Sequence, residues 1–124
     1  MDENVVLYID DEPFNLLLFT ENFENIFHVK TARTCEGGLK MMENDPYIKV
    51  VICDFKMPEM SGMDFIRKAN EKFPDLYYFL LTGYEITADI QNALDTGLIQ
   101  QYFRKPFDLE KIKKSITICL FNQQ

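Results

Sequence analysis

Short apolar runs alternate with helix-periodic stretches from one end of this chain to the other, and that alternation predicts an α/β domain built on a parallel sheet. Five runs read as strands: Val5 to Ile9, His28 to Ala32, Val50 to Cys53, Tyr77 to Leu81 and Gln101 to Arg104. The first, third and fourth are almost continuously apolar, as strands buried on both faces are.

Five helices fall between and after them. Pro13 suits the first turn of a helix whose apolar face takes in Phe14, Leu17, Leu18 and Phe23. Cys35 to Asn44 is the second helix. The third opens at a Ser61 cap, with Asp64 three residues on as an imperfect capping box, and runs to about Phe73, where Pro74 ends it. The fourth spans roughly Thr87 to Thr96, with Gly97 placed to end it in the left-handed conformation. Asp108 caps the fifth, which puts Leu109, Ile112, Ile116 and Leu120 on one face and turns Lys111, Lys113 and Lys114 mostly to water. Right-handed crossovers with helices on both faces leave few arrangements of five such units, and strand order 2-1-3-4-5 is the commonest.

At 124 residues the chain is expected to form a single domain over residues 1–124. A net charge of -7 argues against direct nucleic-acid binding, because that affinity comes from neutralising phosphates with Lys and Arg. No apolar run approaches the roughly 20 residues that span a bilayer. Met1-Asp2-Glu3-Asn4 lacks the basic flank and apolar stretch of a signal peptide, so a cytoplasmic, unprocessed protein is expected. Cys35, Cys53 and Cys119 are odd in number, widely spaced and without a CxxC, and read as buried reduced thiols rather than a disulfide framework or zinc site. The single histidine, His28, opens a strand, which speaks against a histidine-relay enzyme.

Polar residues close four of the strand runs. Asp10-Asp11, Asp54, Thr82 and Lys105 each follow or end one, and in open parallel sheets chemistry gathers at the carboxyl ends of the strands. With strands one and three adjacent, Asp10, Asp11 and Asp54 meet in one crevice. Three acids can hold a divalent cation there, while the Thr82 hydroxyl and Lys105 ammonium can hold phosphoryl oxygens.

Ile9-Asp10-Asp11-Glu12, Asp54 with Met57-Pro58 and Gly62, Leu81-Thr82-Gly83, and Lys105-Pro106-Phe107 together make the chain resemble the receiver domain of two-component response regulators along essentially its whole length. The resemblance implies a flavodoxin-like, doubly wound five-stranded sheet with five helices. It implies Asp54 as phospho-acceptor, with Asp10, Asp11, Asp54 and the carbonyl of Lys56 holding Mg2+. It also implies Lys105 and Thr82 on the acceptor carboxylate and phosphoryl oxygens, a cis Lys105-Pro106 bond, and Thr82 with Tyr102 as the switch pair. Gly83 is expected to remove bulk beside the Thr82 hydroxyl, and Glu12 to start a helix rather than ligate metal. The implied donor is a sensor histidine kinase or a phosphotransfer protein. The responding surface is helix four, strand five and helix five, which would meet an output domain or a second copy in a homodimer.

Two places depart from the pattern. Lys56 and Tyr84 stand where side chains control the water that hydrolyses the acyl phosphate, so both are expected to set the phosphoryl lifetime, Lys56 by shielding the group or by lending the attack a counter-charge. Gly97-Leu98 replaces the more usual Gly-Ala, which alters the surface before strand five. Only Phe121-Asn122-Gln123-Gln124 follow helix five, so a stand-alone receiver or one cut from a longer regulator is expected. Leu80-Leu81-Thr82-Gly83-Tyr84 also looks like receivers that precede cyclic-dinucleotide phosphodiesterase domains. A haloacid-dehalogenase-like phosphatase fits less well, because it needs a second Asp where Lys56 stands and carries its acidic pair late in the chain rather than at Asp10-Asp11. A binding module that never turns over phosphate is the third reading.

Overall fold

The structure is a computed structural model, and it describes residues 4–83 and 86–121. Five strands and five helices alternate: β1 (Val5–Ile9), α1 (Pro13–Phe23), β2 (His28–Ala32), α2 (Cys35–Asn44), β3 (Ile48–Asp54), α3 (Gly62–Lys72), β4 (Tyr77–Thr82), α4 (Ala88–Asp95), β5 (Gln101–Arg104) and α5 (Leu109–Phe121). Every strand pair is parallel, and the order is β2-β1-β3-β4-β5, the flavodoxin-like doubly wound arrangement that the alternation of elements predicts.

The alternation of side chains along the central strands divides the core in two. Val5, Leu7, Ile9, Val51, Cys53 and Leu80 pack with Phe65 and Ile66 of α3 and Ile90 of α4 on one face. Val6, Tyr8, Val50, Ile52, Phe79 and Leu81 pack with Leu16, Phe19 and Phe23 of α1 and Ile112 and Ile116 of α5 on the other. β3 and β4 run one or two residues past the apolar runs, because Ile48 pairs with Val5, Asp54 with Leu81 and Thr82 with Arg104.

Local signals start and stop the helices: the Ser61 and Asp108 caps are those the sequence suggests, and Thr34 and Thr87 add two more. Thr34, Ser61 and Thr87 each accept a hydrogen bond from the backbone N–H three residues on, at 2.8, 3.1 and 3.2 Å. Asp108 accepts from the Lys111 N–H at 3.2 Å. Each such cap contributes about 1 kcal/mol. Gly97 follows α4 with φ of 84°, a conformation that glycine adopts without a side-chain clash.

The buried face of α1 is turned from the expected one: Phe23 is buried as expected and Leu18 half-buried, but the other two members of that face are not. Phe14 and Leu17 are 68% and 56% exposed, whereas Leu16, Phe19 and Phe23 are buried. Both sets follow helical spacing, so periodicity alone does not choose between them. The choice is made by contacts beyond the helix: Phe19 stacks on Tyr8 of β1 with centroids 4.5 Å apart, and Asn15 bonds Asp10. Cys35, Cys53 and Cys119 are buried thiols outside any disulfide, as predicted, and His28 opens β2. Among the described residues no helix is long and apolar enough to cross a membrane.

Candidate functional site

The strand order carries four strand ends to one rim. Asp10 follows β1, Asp54 ends β3, Thr82 ends β4 and Lys105 follows β5. Asp10 and Thr82 are wholly buried and Asp54 is 4% exposed, so each of these polar groups needs a partner.

Asp54 finds one in Lys105, whose Nζ lies 2.9 Å from Oδ1. Lys105 is aimed there by a backbone tie, its N–H donating to the Thr82 carbonyl at 2.8 Å, and the Lys105-Pro106 bond is cis as the resemblance implies. On the other side, Gly62 brings the start of α3 against the end of β3. Its N–H donates to the Phe55 carbonyl at 2.6 Å, and a Cβ there would sit 2.4 Å from the Asp54 carbonyl oxygen. Only glycine permits so close a backbone approach.

Among the described residues, three donors hold Asp10. The Tyr8 hydroxyl reaches Oδ2 at 2.5 Å, Asn15 Nδ2 the same oxygen at 3.1 Å, and the Glu12 N–H reaches Oδ1 at 3.0 Å. Burial, with the Asp10 carboxylate beside it, pushes the Tyr8 phenol far above its ordinary range, so it stays a donor.

Asp10, Asp11 and Asp54 each offer an oxygen within 4.8 Å of the others. That donor set, hard oxygens from few carboxylates, fits Mg2+. Without a cation the cluster is repulsive: burial pushes the Asp54 carboxyl above its usual range, and Asp10 and Asp11 push it the same way against the pull of Lys105. A cavity of about 540 Å3 opens over the acids, lined by Asp11, Glu12, Asp54, Lys56, Gly83 and Lys105, with Met57 and Pro58 as its apolar wall. Lys56 is exposed at this mouth, on a loop closed by an antiparallel bridge between Lys56 and Ser61. A second tie holds the same loop, since Glu59 Oε2 accepts from the Cys35 N–H at 3.0 Å.

The other predicted site residues are placed as follows. Thr82 is buried beside the cavity but is not among the residues lining it. Tyr102 is half-buried on β5 and lines a separate cleft of about 590 Å3 with Arg104, Lys111 and Lys114. Tyr84 lies outside the described residues. Among the described residues, a Cβ on Gly83 would meet Lys105 Cδ at 3.9 Å, an ordinary van der Waals contact. Glu12 precedes α1 without a side-chain capping bond, and it also lines the cavity. Sequence reasoning missed Tyr8 and Asn15. Tyr8 carried a signal, since it stands two residues before Asp10 and so shares its side of the strand; Asn15 carried none.

Comparison with known proteins gives a consistent result. The family model described as "Response regulator receiver domain" matches residues 6–117. A response regulator receiver domain protein from Clostridium thermocellum superposes with a TM-score of 0.86 at 31% identity, covering 96% of this chain and 95% of that one. The response regulator protein TrrA from Thermotoga maritima, in complex with Mg(2+)-BeF, superposes with a TM-score of 0.80 at 27% identity, covering 94% of this chain and 99% of that one. The "Probable chemotaxis protein CheY" of Rhizobium etli is 30% identical over 115 residues, 90% of this chain and 88% of that protein. Other curated relatives are longer. The chain spans 21% of the hydrogenase transcriptional regulatory protein HoxA of Cupriavidus necator and 28% of a probable cyclic di-GMP phosphodiesterase of Vibrio cholerae.

Proposed function

This chain belongs to the response regulator receiver domains, signalling domains of two-component systems, and from that premise we propose that it accepts a phosphoryl group on Asp54 and passes the change to a partner. The observation that carries the reading is the Asp54 carboxylate, 4% exposed at the floor of an open cavity, paired with Lys105 and facing two further acids. A buried nucleophilic carboxylate can attack phosphorus only when the repulsion between two anions is cancelled.

Asp10, Asp11, Asp54 and the Lys56 carbonyl would hold Mg2+. Bound there, the ion supplies charge neutralisation for the incoming phosphoryl oxygens. Asp54 then forms a new O–P bond as the P–N bond of the donor phosphohistidine breaks, and the imidazole leaves with a proton. Lys105 keeps its place as a compact cation and turns from the carboxylate to a phosphoryl oxygen. The Thr82 hydroxyl follows the added charge, and Tyr102 on the neighbouring strand responds to that move. A local charge change thereby biases the surface of α4, β5 and α5.

Lys56 at the mouth of the cavity, with Tyr84, tunes how long the phosphoryl group survives. The donor is a sensor histidine kinase or phosphotransfer protein. The responding surface meets an output domain or a second copy, in a cytoplasmic setting, and residues 1–124 act as one receiver unit. Longer relatives named as a transcriptional regulator and a cyclic di-GMP phosphodiesterase support an output of one of those kinds.

The test is intact-protein mass spectrometry after exposure to acetyl phosphate and Mg2+. A gain of one phosphoryl group, mapped to Asp54 and absent in Asp54→Asn, is expected. Stoichiometric labelling of Asp54→Asn sinks the assignment, and steady phosphate release from generic phosphomonoesters points to a phosphatase instead.

A further inference from the structure

Tyr8 occupies a place that core packing alone does not explain. Its ring is wholly buried, stacked on Phe19 at 4.5 Å and edge-on to Phe107 at 6.0 Å. An apolar ring would fill that space without needing a partner for a hydroxyl. Instead the two neighbouring rings fix the direction of the phenol, and its O–H points at Asp10 Oδ2, 2.5 Å away.

The consequence follows from counting acceptor sites on Asp10. A carboxylate has about four lone-pair sites, two on each oxygen. Tyr8 and Asn15 both donate to Oδ2, which fills that oxygen, and the Glu12 N–H takes one site on Oδ1. One site remains, on Oδ1. The other two acids of the cluster are not closed in this way: Asp11 is exposed, and Lys105 takes a single site on Asp54.

We propose that Tyr8 and Asn15 are positioning residues that set the metal preference of the site, by closing Oδ2 so that Asp10 can ligate through one oxygen only. Mg2+ is small, octahedral and content with single oxygens from few carboxylates, whereas Ca2+ takes roughly six to eight oxygens and often grips a carboxylate through both. A one-point, pre-aimed Asp10 suits the first ion and denies the second part of its coordination. The inference rests on the reading of Asp10, Asp11 and Asp54 as metal ligands.

Dissociation constants for Mg2+ and for Ca2+, measured by calorimetry on the whole unphosphorylated protein, test it. In Tyr8→Phe the ring and its packing are kept while the donor is lost. Mg2+ affinity should fall on the order of ten-fold, as when an outer partner of a metal ligand is removed. Ca2+ affinity should hold or rise, so the preference for Mg2+ shrinks by about the same factor. Asn15→Ala, a change on the half-buried side of α1, should move the ratio the same way, and it decides the matter alone if Tyr8→Phe does not fold. Equal losses for both ions, or no change in either, overturn the inference and leave the metal site standing. Wild-type protein that binds neither ion overturns the metal reading and this inference with it.

Discussion

In metal-free buffer, Asp54→Asn should melt higher than wild type at pH 7. Asp54 and Asp10 present oxygens within 4.8 Å of each other. With an effective dielectric constant of about 20, that pair repels by about 3.5 kcal/mol. Lys105 at 2.9 Å attracts Asp54 by about 6 kcal/mol on the same footing. Burying a carboxylate this deeply costs several kcal/mol more. Repulsion and burial together outweigh the Lys105 pair, which is the balance that raises the Asp54 carboxyl above its ordinary range. An asparagine keeps an oxygen for Lys105 and turns an NH2 towards the remaining acids, so a net gain of about 1–2 kcal/mol is expected. For a chain of 124 residues this is worth about 4 °C per kcal/mol, or a rise of about 4–8 °C. The pH dependence has a definite sign. A carboxyl raised in the folded state contributes stability that is fully present below its unfolded pKa of about 3.9 and is lost as pH rises through the folded value. The gap between variant and wild type should therefore open between acid and neutral pH and close again towards pH 4. Thermal melts in EDTA across that range provide the assay. A variant that melts at or below wild type at pH 7, or a gap that ignores pH, would mean that the Lys105 pair dominates and the reasoning fails.

Two further changes probe the loop and helix beside Asp54. Lys56→Ala should shorten the phosphoryl half-life several-fold, a barrier change of roughly 1 kcal/mol or more, because removing a long side chain from the cavity mouth opens a path for water; a half-life equal to wild type at saturating Mg2+ would reduce Lys56 to a solvated loop cation. Gly62→Ala should cost about 2–3 kcal/mol and slow labelling by acetyl phosphate, since the new methyl meets the Asp54 carbonyl oxygen at 2.4 Å and backbone cannot yield as a side chain can; denaturant melts that match wild type would contradict it.

The parts of the fold that were legible in the sequence share a physical cause. Strands covered on both faces must be apolar throughout, so Val5–Ile9 and Tyr77–Leu81 announce themselves without reference to anything distant. The helix caps at Ser61 and Asp108 are equally local, one side chain answering one N–H. The meeting of Asp10, Asp54 and Lys105 follows from those elements and the handedness of crossovers once the strand order is supplied, and that order is partly what the resemblance to receiver domains implies.

What the sequence concealed depends on how elements are rotated against one another. Leu-rich α1 offers two stripes of helical spacing, and only the stacking of Phe19 on Tyr8 and the reach of Asn15 to Asp10 select Leu16, Phe19 and Phe23 for burial. That same rotation is what delivers the second donor to Asp10 Oδ2. The error about the helix face and the missed Asn15 are thus one omission. A chain that buried Phe14 and Leu17 would turn Asn15 away from the acid, and Tyr8 would then be its only side-chain donor. The two large apolar side chains left exposed on α1, Phe14 and Leu17, are therefore the counterpart of the filled Oδ2 of Asp10: the helix turns its second apolar stripe to solvent so that Asn15 reaches the site.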